Sequence, residues 1–156
     1  MPVSDKEKER DKAKSYVYRL LNIRLRSEQE VEAKLKLRSF SASVIGDTID
    51  YFRDIQLIDD RQFARKWIES RLNRLFGANR IRYELQKKGI SKNILAQELK
   101  QATSVFPEEE VVLKIAQEKA KKYKGVDPLK IKQRIYGYLA RKGFSLPSIL
   151  NAIKKI

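Results

Sequence analysis

The stretch that decides the fold is Ile81–Leu99, IRYELQKKGISKNILAQEL. Ile81, Glu84, Leu85 and Lys88 recur at three and four residues, the spacing of one helical face. Gly89 offers the left-handed conformation that commonly ends a helix. Ser91 can then cap the next helix by accepting a hydrogen bond from a free backbone N–H. Ile94, Leu95, Glu98 and Leu99 resume helical spacing. The stretch predicts two short helices joined by a tight turn.

The chain contains this pattern three times. Fifty residues upstream it returns as Val31, Leu35, Arg38, Ser39, Phe40, Ser41, Val44, Ile45 and Ile49. Fifty-four residues downstream it returns as Ile135, Leu139, Lys142, Gly143, Phe144, Ser145, Ser148, Ile149 and Ile153. Each copy keeps two apolar positions, a basic residue, a turn residue, a large apolar residue and a serine. A helical register preserved at this period marks a tandem array.

Working outward, each pair is preceded by a further helix. The first carries Tyr16, Val17, Leu20 and Leu21, the second Phe63, Ala64, Trp67 and Ile68, the third Ile115 to Tyr123. Lys119 stands where Leu20 and Trp67 stand in the other two. Start and stop signals agree. Ser27 and Glu30 form a capping box, and Asp59 with Gln62, or Asp60 alone, can cap the fourth helix. Pro107 precedes Glu108–Glu110, acids suited to the positive end of a helix. Gly125 closes the seventh helix, Asp127-Pro128 opens the eighth, and Ser145 with Pro147 opens the ninth.

The prediction is an all-α protein of three tandem three-helix repeats, helix-turn-helix-like units forming an elongated, curved array. Repeat 1 spans residues 13–56, repeat 2 residues 57–104 and repeat 3 residues 105–156. Residues 1–12 form a charged N-terminal extension, which either lengthens the first helix or stays mobile. No segment alternates as a strand does. A three-helix unit is too small for a strong core of its own, so neighbours are expected to share interfaces. Phe63, Trp67, Ile81, Leu85, Ile90 and Leu95 are the expected core of the middle repeat.

The balance of charge narrows the function. Lys and Arg number 35 against 20 Asp and Glu, a net charge of +15. That favours a polyanionic or acidic partner. There is no His and no Cys, which removes the commonest general base and the commonest transition-metal ligands. No phosphate-cradling glycine loop is present. Asp59 and Asp60 stand at a helix start without a third oxygen ligand close by, so they read as caps and not as a metal site. No catalytic centre, cofactor or metal is expected. No apolar run approaches the roughly 20 residues that span a bilayer. The charged N-terminus is unlike a signal peptide, so the expected compartment is the cytoplasm and the expected state a monomer.

The basic residues carry the functional signal. Arg24, Arg26, Arg71, Arg74, Arg80, Lys87, Lys88, Arg141 and Lys142 are the candidate partner-facing set. A cation at a helix C-terminus is worth from a few tenths to about 1 kcal/mol, which accounts for one basic residue per turn. It does not account for the doubled Lys87-Lys88 and Arg141-Lys142. Arg suits a two-pronged grip on phosphate or carboxylate. The helix after the middle turn, with Lys92, Asn93, Gln97, Glu98 and Lys100, is poor in groups that read base edges, which argues against sequence-specific DNA recognition.

The run Leu57, Ile58, Asp59, Asp60, Phe63, Ala64, Trp67, Ile68, Arg71, followed by Gly77, Arg80, Ile81, Glu84, Leu85, Lys88, Gly89 and Ile90, resembles the second-repeat signature of the RecX regulatory proteins. The stretch Leu20, Leu21, Arg24, Arg26, Ser27, Glu30, Val31, Lys34, Leu35 is similar to their first repeat. The likeness runs from about Ala13 to the C-terminus. It departs at Ser39-Phe40, where a turn glycine is usual, and it is weakest in the third repeat. The resemblance implies a modulator that binds the RecA recombinase filament on single-stranded DNA, lodging in its groove and lowering recombinase, ATPase and coprotease activities. Direct, weaker contacts to single-stranded DNA are part of that expectation. The rival reading is a general basic nucleic-acid-binding helical module acting through phosphate contacts.

Overall fold

In the computed structural model, which describes residues 3–156, local capping chemistry places most of the helices. They are α1 (Asp5–Ile23), α2 (Glu28–Leu37), α3 (Ala42–Asp54), α4 (Asp60–Asn73), α5 (Ala78–Lys87), α6 (Lys92–Thr103), α7 (Glu108–Lys122), α8 (Pro128–Lys142) and α9 (Leu146–Lys154). Ser4, Ser27, Ser41, Asp59, Ser91 and Asp127 each accept a backbone N–H of the helix they open. Ser27 and Glu30 complete the reciprocal capping box. No strand occurs among the described residues.

Most of the N-terminal extension is helical. α1 begins at Asp5, Glu9 accepts the Ser41 N–H at 2.7 Å, and Arg10 reaches Asp47 at 2.6 Å. The first two residues of the expected extension lie outside the described residues. At α9 the cap differs from the sequence reading. Ser145 makes no cap bond of its own; its N–H and hydroxyl donate to the Glu108 carboxylate, both at 2.9 Å. Glu108 thus opens α7 and also fastens the start of α9.

In each unit the first and third helices lie together, α1 on α3, α4 on α6 and α7 on α9. The second helix packs on the third. The turn between second and third helices puts a left-handed residue at matching places, Ser39 with φ 62°, Gly89 with φ 79° and Gly143 with φ 91°. Ser39 holds without glycine a conformation costing a residue with a Cβ roughly 1 kcal/mol.

Each unit has its own apolar cluster, and neighbouring units also share contacts where they meet. Three separate apolar clusters exist. One centres on Val17, Leu35 and Phe52, one on Phe63, Ile81 and Leu85, and one on Ile135, Leu139 and Ile149. Ile58, at the start of the second repeat, belongs to the first cluster, and Leu25 packs against the second. The chain, of 18.3 kDa, exposes 10261 Å², against about 8,100 Å² for a compact monomer of that mass. Three small cores in a row leave that extra surface, as an elongated array requires.

The units are joined by helix ends. The Ser27 hydroxyl, fully buried, donates to the Lys88 carbonyl at 2.8 Å, and the Glu28 N–H donates to Asp60 Oδ1 at 2.9 Å. Between the second and third units, Gly77 N–H donates to the Lys142 carbonyl at 2.7 Å and Asn79 N–H to the Gly143 carbonyl at 3.0 Å. So the start of α2 meets the end of α5, and the start of α5 meets the end of α8. Free N–H groups and free carbonyls of helix termini satisfy one another, with the two ends of the helix dipole facing.

Candidate protein and nucleic-acid interface

The middle unit turns a set of cations toward one groove. Its walls are Gln29, Glu30 and Ala33 of α2, Trp67 and Arg71 of α4, Glu84 and Lys87 of α5 and Lys88 just past its end, around about 500 Å³. α4 and α5 supply it because helical spacing sends Phe63 and Ile81 inward and leaves Arg71 and Glu84 at the edge. Glu84 organises the centre. Its carboxylate accepts the Trp67 indole N–H at 2.9 Å, Arg71 Nε at 2.8 Å and Arg80 Nε at 3.3 Å. Arg71 also lies over the Trp67 ring at 4.7 Å, and Lys88 covers the same ring at 4.7 Å.

A second aromatic extends the cluster to the third unit. Phe76 has Arg80 at 4.3 Å and Lys142 at 4.1 Å from its ring centre. Lys142 Nζ also donates to the Arg74 carbonyl at 3.4 Å, and Arg80 to the Arg141 carbonyl at 3.4 Å. Toward the first unit, Glu30 pairs with Arg24 and, at 3.5 Å, with Lys88. Burial alone would raise the Glu30 carboxyl. The hydrogen bonds from Arg24 and the Ser27 N–H, with the Lys88 charge, overcome it and hold the group below the usual carboxylate range.

Of the nine candidate cations, Arg24, Arg71, Arg80, Lys88 and Lys142 are drawn together by Glu30, Glu84 and Phe76. Lys87 lines the groove and lies over Tyr83. Arg74 and Arg141 are exposed, and no carboxylate pairs with either among the described residues. Arg26 lies within reach of the Arg24 and Glu30 charges but makes no ion pair among the described residues; its Nε is buried without a partner, and burial followed by the Arg24 charge pulls its guanidinium below the usual arginine range. Phe63, Ile81, Leu85, Ile90 and Leu95 are buried. Trp67 is only half-buried, against the core on one side and the cations on the other. Its indole N–H needs a partner and finds Glu84, which keeps the ring at the boundary.

Sequence reasoning passed over the two acids that order this surface. Glu84 entered as a position on a helical face and Glu30 as half of a capping box, both also as positions of the repeat signatures, and neither as a partner of the cations. The signal that could have found them is the identity of a glutamate one turn before the paired Lys87-Lys88, on the face that carries Arg80.

Fold and surface together define a class: a tandem array of three-helix units with a cationic, aromatic-lined flank. The RecX family's three domains match in order, the first three-helix domain over residues 13–52, the second over 59–99 and the third over 107–153. The chain belongs to the RecX family. It is 35% identical over 120 residues to the regulatory protein RecX of Chlorobium phaeobacteroides strain BS1, covering 76% of each chain. It is 29% identical over 120 residues to that of Clostridium botulinum strain Alaska E43, covering 76% of this chain and 56% of the relative. It therefore spans just over half the length of the clostridial relatives it matches. Among solved structures, the crystal structure of RecX from Lactobacillus salivarius aligns with a TM-score of 0.83 at 27% identity, over 95% of this chain and 96% of the other. The family is one of regulatory proteins and not an enzyme family. No helix of the described residues is long and apolar enough to cross a membrane.

Proposed function

We propose that this chain regulates homologous recombination and DNA repair by binding the RecA–single-stranded DNA filament and inhibiting its recombinase, ATPase and coprotease activities. It acts as a monomer in the cytoplasm, by binding and without catalysis. Membership of a regulatory family is the observation that carries the reading. The elongated shape and the excess of positive charge support it, since a long cationic body suits a groove lined by nucleic acid and protein acids. Inhibition follows if the protein binds one state of the filament better than another, because only differential affinity shifts an equilibrium.

The partner face is formed by Arg24, Arg26, Arg71, Arg74, Arg80, Lys87, Lys88, Arg141 and Lys142. Within it, Glu84 and Glu30 hold the inner cations in place, and Arg74, Lys87 and Arg141 offer the outer charges. The test mixes the protein with RecA, single-stranded DNA and ATP and follows ATP hydrolysis. Inhibition up to an equimolar ratio is expected; its absence refutes the reading. Reversing Arg74, Lys87 and Arg141 to Glu together should abolish inhibition with helical content unchanged. Tight binding to naked DNA with no preference for the filament would favour a general nucleic-acid-binding module instead.

A further inference from the structure

The third unit holds its charge differently from the other two. Every ion pair among the described residues lies in the first two units or between them. Residues 105–156 contain twelve Lys and Arg against five Asp and Glu. Of those acids, Glu108 fastens α9, Glu109 accepts from Asn151, and Asp127 caps α8. Glu118 stands one turn before Lys121 and Lys122, yet it joins no ion pair among the described residues.

Much of this unpaired charge gathers where α7 ends and α8 begins. Lys121, Lys122, Lys124 and Lys130 are exposed around that connection. Two further cations are fixed by aromatic rings and not by carboxylates. Lys119 Nζ lies 3.7 Å from the centre of the Tyr138 ring, and the Arg134 guanidinium lies 5.6 Å from that of Tyr123. A ring orients a cation through its quadrupole and leaves the full positive charge available. Tyr136, 40% exposed on α8, has no cation over it among the described residues.

We infer that the α7–α8 end of the third unit is a single-stranded nucleic-acid site, in which lysines meet backbone phosphates and Tyr136 stacks a base. The composition favours this ligand over an acidic protein. Lysine is a point charge without Arg's fork, which suits contacts that track a flexible backbone. Charge interleaved with an open aromatic face is the usual platform for a single strand. Lys121, Lys122, Lys124 and Lys130 are not among the cations gathered at Glu84, but Lys119 shares the Tyr138 ring with Lys142, which lies 5.8 Å from its centre, so the strand site adjoins the partner face. The inference takes its biological setting from the proposed function, but its test needs no recombinase.

The test measures anisotropy of a labelled oligothymidylate of about 30 nucleotides with the full chain, titrated at salt from about 50 to 200 mM. Lys122, Lys124 and Lys130 are changed together to Gln. Lys6, Lys8 and Lys12, equally exposed on α1, are changed to Gln in a matched control. The patch variant should bind at least tenfold more weakly, with the log–log salt slope reduced by about 2, at roughly 0.7 for each phosphate left without its lysine. The control should stay within about twofold. Tyr136→Ala should weaken binding about fivefold or more with the slope unchanged. Equal losses in patch and control variants overturn the site, as does binding to polyglutamate as tight as to the oligonucleotide. Circular dichroism excludes misfolding as the cause. Inhibition of the recombinase by the patch variant would leave the proposed function standing; strand binding by a wild-type protein that fails to inhibit would remove that function and leave the site.

Discussion

The joint between the second and third units is open to a single-atom test. Gly77 sits where a Cβ would lie 2.3 Å from both the carbonyl carbon and oxygen of Gly143, and 2.4 Å from Phe144 N. These are backbone atoms, so Gly77→Ala can fit only by moving the two units apart by about 1 Å, to ordinary van der Waals separation. The movement stretches the Gly77-to-Lys142 and Asn79-to-Gly143 hydrogen bonds, which are 2.7 and 3.0 Å long. Two such bonds are worth about 2 kcal/mol, and overpacking adds about 1–3 kcal/mol. The joint should therefore lose roughly 3–5 kcal/mol of coupling. The cores of both units are untouched, so the units stay folded while the coupling between them fails. Calorimetry should show one transition for the wild type and two for the variant. Hydrogen exchange should accelerate at the Gly77 and Asn79 amides, with core amides of α5 and α8 keeping their protection. Gly46 provides the control: it lies inside α3 with nothing within 4 Å of a Cβ. Gly46→Ala should raise stability by about 0.5–1 kcal/mol. A Gly77→Ala protein with wild-type melting and an equally protected Asn79 amide would refute the reasoning.

Three further outcomes follow from named contacts. Ser39→Gly relieves a left-handed φ of 62° and should stabilise the first unit by up to about 1 kcal/mol, less the added freedom of the unfolded chain; urea denaturation reads it. Glu84→Ala removes the acceptor of the Trp67 indole N–H and the partner of Arg71. Trp67 is the one tryptophan of the chain, so its emission should shift to longer wavelength, with stability lower by about 1–3 kcal/mol. Glu98 is buried between Arg61 and Arg65, and the hydrogen bond from Arg65 leads the effects that hold its carboxyl below the usual range. Its contribution is complete above the unfolded glutamate value of about 4.3 and is lost as pH falls through the lower folded value. Glu98→Gln should flatten the acid limb of a stability–pH curve, and an unchanged limb would exclude this role.

The helices and their order were readable because their signals are local. Ser27, Ser41, Ser91, Asp59 and Asp127 cap within three residues, and the turn positions 39, 89 and 143 repeat in register. What joins one unit to the next is not local. Ser27 reads as a cap, yet its proton goes to a carbonyl 61 residues away. Gly77 reads as one position of the second-repeat signature, yet its missing side chain is what lets Gly143 approach. The cations of the middle unit were visible as charge, but their arrangement depends on Glu84 thirteen residues from Arg71 and on Glu30 fifty-eight residues from Lys88. Lys121, Lys122, Lys124 and Lys130 of the third unit escaped attention because that unit follows the motif least closely, and a motif is silent about charge between its positions.

Separate cores linked by polar ends make the molecule a chain of stiff links with compliant couplings. Bending at a coupling works on a pair of hydrogen bonds, worth about 2 kcal/mol, and on a few apolar contacts such as those of Ile58 and Leu25, and leaves each core whole. The radius of curvature can thus adjust by small rotations while every link keeps its shape. Such a body can lie along a template whose pitch is uneven, where a single rigid block would touch at one place only.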